Sequence, residues 1–153
     1  MKYFSCIIIL LLISACEPAP FYSESQIVDA NGWAYDIKKD FEVEVSDTSM
    51  YYDLHLNVKH STTYSYQNMY MKVTTSFPNK EDKTEQLNID VAEKKGNWIG
   101  KCSNETCQIK VYLLEKFKFA EPGKYIFSFE QDGRDNPLMG IEELQLDIIK
   151  VEE

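Results

Sequence analysis

The chain has 153 residues, of which 44% are hydrophobic and 13% aromatic. That suits one folded domain with its own core and excludes a disordered chain. With 25 Asp and Glu against 16 Lys and Arg, the formal net charge is -9. This excludes nucleic acid as a partner, because phosphate would be repelled.

The N-terminus opens with Lys2 as its one early charge, followed by an unbroken Ile and Leu run from Ile7 to Ile13. The run is well short of the ~20 residues that a spanning helix needs, and small residues follow it, so residues 1–15 read as a secretory signal. Leu12-Ile13-Ser14-Ala15-Cys16 resembles a bacterial lipobox. In that pattern the Cys16 thiol and its new amine carry fatty-acyl chains such as palmitate, which predicts a membrane anchor. Residues 16–26, with Pro18 and Pro20, read as the lipidated Cys and a tether, and residues 27–153 as the folded domain.

From Phe41 onward the hydrophobic pattern has a period of two. Phe41, Val43 and Val45 alternate with Glu42 and Glu44, and Tyr52, Leu54, Leu56 and Val58 alternate with polar residues. The same alternation covers 69–77, 87–91, 109–113, 117–119, 125–129 and 144–148. Punctuators such as Pro78-Asn79, Gly96-Asn97 and Pro122-Gly123 separate these runs. The pattern predicts an all-β, antiparallel β-sandwich, jelly-roll or Ig-like, of about eight strands. Ala92-Glu93-Lys94 is expected to form one helical turn.

Cys102 and Cys107 enclose four polar residues that suit a hairpin loop. In an oxidising compartment a disulfide is the first expectation, with free thiols and a redox or metal pair as the alternatives.

Candidates for chemistry are few. His55 is expected on an outward strand face and His60 beyond that strand's end, both solvated. Glu142 and Glu143 are adjacent, which in a strand points them to opposite faces. Asp132-Gly133-Arg134-Asp135-Asn136 reads as a polar turn, with a calcium loop as the alternative. Trp33 and Trp98 read as packing residues or as a sugar-stacking platform. No catalytic residue, metal site or cofactor is expected.

Several segments together resemble the gliding-motility lipoproteins of the GldH type from Bacteroidota. They are Asn31-Gly32-Trp33, Asp47-Thr48, Tyr64-Ser65-Tyr66-Gln67-Asn68-Met69, Phe77-Pro78-Asn79 and Gly96-Asn97-Trp98-Ile99-Gly100. Gly123-Lys124-Tyr125, Phe129-Glu130-Gln131, Arg134 and Leu138-Met139-Gly140-Ile141 complete the series. The sequence departs from the family where Gly133-Arg134 replaces its frequent Met-Arg, and at Leu144-Gln145-Leu146-Asp147-Ile148, where the family often ends Gly-Leu-Arg-Ile. The resemblance implies a non-enzymatic lipoprotein supporting gliding and the type IX secretion machinery. It implies anchorage in the outer membrane, facing the periplasm, and binding to other envelope proteins. Arg134, Gln131, Gly140 and Ile141 are the expected partner contacts, with the Trp33 and Trp98 loops next; the alternative for Arg134 is an exposed ion pair with Asp132 or Asp135. A carbohydrate-binding module and a cell-envelope hydrolase are the alternative functions.

Overall fold

The computed structural model describes residues 19–152. The expected signal peptide and Cys16 lie outside the described residues. The described residues form nine strands: β1 (Tyr22–Ile27), β2 (Lys39–Val45), β3 (Tyr51–Ser61), β4 (Asn68–Ser76), β5 (Lys83–Asp90), β6 (Lys101–Ser103), β7 (Thr106–Phe117), β8 (Gly123–Gln131) and β9 (Ile141–Val151). They build two antiparallel sheets, one ordered β1-β9-β3-β7-β6 and the other β2-β8-β4-β5.

The alternation seen in sequence is the alternation of faces. Phe41, Val43 and Val45 of β2 are buried while Asp40, Glu42 and Glu44 are exposed. Facing them across the sandwich, Leu54, Leu56 and Val58 of β3 are buried with Leu144, Leu146 and Ile148 of β9. Phe41 meets Phe129 edge-on at 5.7 Å between ring centroids, a favoured aromatic geometry.

Several expectations are corrected. Tyr22–Ile27 is a strand paired along β9, so the sheet begins at Tyr22, inside residues 16–26 expected as a tether and before the expected domain start at residue 27. Its hydrophobic residues are sparse because β1 is an edge strand, which is why composition reads it as linker. Phe117 closes β7 and is not part of a separate strand. Ala92 sits in an isolated β-bridge with Trp98, where a helical turn was expected.

Both histidines are buried, at 4% exposure for His55 and 0% for His60. His60 lies inside β3, whose alternation continues one step past Val58 and turns the ring inward. His55 does face away from the core. It is covered because β3 is the middle strand of its sheet. Its cross-strand neighbours are Tyr112 and Asp147, and the Tyr112 ring lies 4.5 Å away.

The Cys102–Cys107 disulfide closes the β6–β7 hairpin, where the two residues are cross-strand partners. Such a small loop gives a modest entropic gain, so replacing both by Ser is expected to lower stability by about 2 kcal/mol in urea titration. The native protein, unfolded without reductant, should show no alkylatable thiol from this pair.

Burial holds the His55 imidazole below its ordinary value of 6.5, assisted by Lys110 and opposed by Asp53, Asp147 and Glu115. The unfolded chain therefore takes up this proton first as pH falls. Stability is full above the ordinary histidine range and declines as pH drops through it toward the folded value. The urea midpoint should fall between about pH 7.5 and about pH 5.5, and the fall should be smaller in His55→Gln.

Candidate functional site

The sandwich has two ends. The described chain enters at the near end, where β1, β3, β5 and β8 begin. At the far end, five segments converge: residues 28–38, 62–67, 91–100, 104–105 and 132–140. An eleven-residue strand such as β3 separates the two ends by about 35 Å. The sequence-predicted contacts and both tryptophans all fall at the far end.

A short backbone bridge ties two of these loops together. Trp33 donates its N–H to the Leu138 carbonyl at 2.9 Å, and Leu138 returns the bond at 2.8 Å. The Trp33 ring is 1% exposed and its Nε1 donates to the Ile37 carbonyl at 2.6 Å. It therefore presents no face to a sugar or a partner, and its role is to hold the loops. Trp98 is half-buried, with its ring 4.8 Å from that of His60, which also lies beside Tyr64.

The tyrosine motif supplies the middle of this end. Tyr64 is buried and donates to the Asn68 carbonyl at 3.1 Å, and its ring meets that of Tyr66 edge-on at 5.8 Å. Gly140 packs against it: the backbone there has φ +84°, and a Cβ would stand 3.1 Å from the Tyr64 Cα. Ile141 is buried beneath, in register with His60.

Gln131 shapes the 132–136 turn from inside. Its Nε2 donates to the Asp135 carbonyl at 3.1 Å, and its Oε1 accepts from the Gly133 N–H at 2.8 Å. Gln131, Ile141 and Trp33, expected as contacts, are thus buried supports for the loops. A buried polar side chain needs its partners within the fold, and Gln131 finds them in the turn it precedes.

Arg134 stands differently. Asp132 is engaged by Lys72 at 2.9 Å and by Gln86 at 2.7 Å, and the Lys72 contact holds its carboxyl below the usual carboxylate range. Asp135 accepts a 2.6 Å bond from the Tyr66 hydroxyl. That bond is the main cause of the raised Tyr66 pKa, with burial and the Asp135 charge adding to it and Arg134 opposing. Both neighbouring carboxylates are committed elsewhere. The exposed Arg134 guanidinium has no ion pair or hydrogen bond among the described residues.

Beside it is a depression of about 70 Å³ lined by Tyr64, Tyr66, Asn68, Tyr70, Arg134 and Leu138. Ile27, Tyr35, Ile37 and Met139 are exposed at the same end. Tyr35 also donates its hydroxyl to the Gly133 carbonyl at 2.8 Å. Sequence reasoning missed Tyr35 and Tyr70. Tyr35 follows Trp33 in a loop that carries no period, and Tyr70 is an ordinary outward residue of its strand.

The arrangement can bind by packing and charge-assisted hydrogen bonding. Among the described residues, no group of three His, Cys, Asp or Glu side chains could hold a metal ion. Glu142 and Glu143 turn to separate partners, Thr106 at 3.0 Å and Lys59 at 2.8 Å.

Fold and site together define a β-sandwich with a tyrosine- and arginine-bearing far end. The chain belongs to the GldH lipoprotein family, whose model matches residues 20–148. It is 29% identical over 143 residues to a gliding motility lipoprotein GldH homolog of Christiangramia forsetii, covering 93% of this chain and 87% of the relative. It is 25% identical over 136 residues to gliding motility lipoprotein GldH of Flavobacterium johnsoniae, covering 88% and 84%. Among solved structures, a CBM61 module in complex with beta-1,4-galactotriose is similar at TM-score 0.35 and 11% identity, over 76% of this chain and 62% of that one. A family GH115 4-O-methyl-alpha-glucuronidase is similar at 0.41 and 12%, over 90% and 18%. Likenesses at this level carry no functional argument.

The Gly140 geometry yields a prediction. A side chain is disfavoured at positive φ by about 1–2 kcal/mol, and here it also meets the Tyr64 backbone. Gly140→Ala is expected to lower the urea-measured stability by at least about 1 kcal/mol and to shift the Tyr64 resonances in NMR spectra.

Proposed function

We propose that this lipoprotein is a non-enzymatic part of the gliding apparatus and its associated type IX secretion machinery, and that it binds another envelope protein through its far end. The family relatives, named as gliding motility lipoproteins, support the gliding part of this reading. The observation that carries the second half is Arg134. It is the chain's one arginine, exposed, without an ion pair or hydrogen bond among the described residues, and it borders a depression lined by Tyr64, Tyr66, Tyr70 and Leu138. Interface energy concentrates in such aromatic and arginine anchors.

The placement fits an anchored protein. With acylated Cys16 leading into the near end, the far end points away from the bilayer toward envelope partners. In our reading the anchor lies in the outer membrane and the domain faces the periplasm.

The test is made in cells. Arg134→Ala should leave the protein folded and membrane-bound, while recovery of the co-purifying partner and gliding or secretion both fall. Arg134→Lys keeps the charge without the planar fork and should recover only part of the binding. Wild-type partner recovery and function in Arg134→Ala would refute the far-end site.

A further inference from the structure

The two sides of the sandwich are built differently. On one side β1 meets β2, and the gap is closed by Lys39 Nζ donating to the Ile27 carbonyl at 2.8 Å and by Gln26 Nε2 donating to the Asp40 carbonyl. On the other side the short β6 pairs only with residues 106–108 of β7. Beyond that, β7 and the edge strand β5 stand apart with a trough between them, apolar along its floor and edged on the β4–β5 side by Thr75, Glu85 and Gln86.

The trough consists of two hollows of about 220 and 200 Å³. They share Thr75, Glu85, Leu114 and Phe127 and so lie side by side. Leu54, Val73 and Leu87 line the inner hollow together with Gln86, and Phe77, Phe117, Phe119 and Tyr125 line the hollow at the near end. Leu114, 46% exposed, lines the trough because the pairing of β3 with β7 shifts register around Leu54. Lys83, Lys118 and Glu85 at the rim carry both signs, so no single charge draws an ionic ligand.

The near-end hollow opens beside the chain's entry. Phe21 packs 5.2 Å from Tyr52, and Tyr52 packs in turn on Phe119 at 5.2 Å and on Phe117 at 6.2 Å. One ring thus lies between the incoming chain and the trough. Cys16 precedes Phe21 by five residues, a reach of at most about 18 Å.

We infer that the trough is an acyl-chain site, occupied by one fatty-acyl chain of Cys16 itself whenever that chain is out of a bilayer. The inference rests on the lipoprotein reading. An alkyl chain brings no polar group that must be satisfied, and an apolar cavity accepts such a ligand readily. The hollows hold roughly one chain and not a bundle of three. A peptide strand added along β7 is the worse fit, because the irregular register at Leu113 and Leu114 interrupts that edge, and a peptide on the regular β5 edge is an outcome that the test below distinguishes.

The test uses the full lipidated protein in growing cells. A photocrosslinking p-benzoylphenylalanine is placed at Glu85, which is exposed and borders both hollows, and at Tyr112 on the outer sheet face as a control. Cells are irradiated during a pulse of synthesis, and crosslinked peptides are read by mass spectrometry. The expected product joins the residue-85 peptide to the acylated Cys16 peptide, and it is absent with the probe at residue 112. Leu114→Glu should reduce its yield on the order of tenfold by placing a charge in the trough, without touching the buried core. An adduct only with phospholipid, an adduct only with another protein's peptide, or no adduct on an acylated protein would each overturn the inference. The mass of the Cys16 peptide in the same sample separates the two readings. An unmodified Cys16 would refute the lipoprotein reading, and this site with it.

Discussion

Everything in this molecule hangs on β3 and its two partners. It pairs with β7 on one side and β9 on the other, along eleven residues. Because neighbouring side chains in a strand face opposite ways, one register sets both surfaces at once. Its inward row runs from Tyr52 through Leu54, Leu56 and Val58 to His60 and forms the floor of the core. A slip of one residue would turn that row to water. The same pairing seats Tyr112 and Asp147 beside His55, which is how an outward-facing imidazole comes to be buried.

That register also gives the domain its polarity. At the near end Tyr52 is the hub of an aromatic cluster that receives Phe21 from the incoming chain. At the far end His60 packs against Trp98 and Tyr64 and lies in register with Cys107 and Ile141. A single strand thus connects the end where the described chain enters to the tyrosine and arginine end. The loops beyond it are held by backbone bonds, such as Ser61 N–H to the Gly140 carbonyl at 2.8 Å. A rigid display of the far end needs little more than this.

The far end divides its residues between support and display. Trp33, Gln131 and Ile141 are spent on packing and on the hydrogen bonds of the loops. Lys72 and Tyr66 occupy the carboxylates of Asp132 and Asp135. What is left exposed is one guanidinium with apolar and phenolic neighbours. In a chain with so many acidic groups, an arginine without an acidic partner among the described residues reflects the arrangement of its neighbours, since charge alone would favour pairing.

The class of fold and the face of most strand residues were legible in the residues alone, because alternation is a local property that needs only the period of the chain. The family motifs were legible in the same way, as short strings in order. Elements with weak alternation were not: β1, with Ser23, Glu24 and Ser25 exposed, becomes a strand only through β9. The burial of His55 and the shared location of Trp33, Tyr64, Gln131 and Gly140 were also invisible. The tertiary structure alone decided those points, along with the isolation of Arg134 and the open side between β5 and β7. Each depends on which distant strands become neighbours and in what register, and hydrogen bonding between strands far apart in the chain leaves no trace in local periodicity.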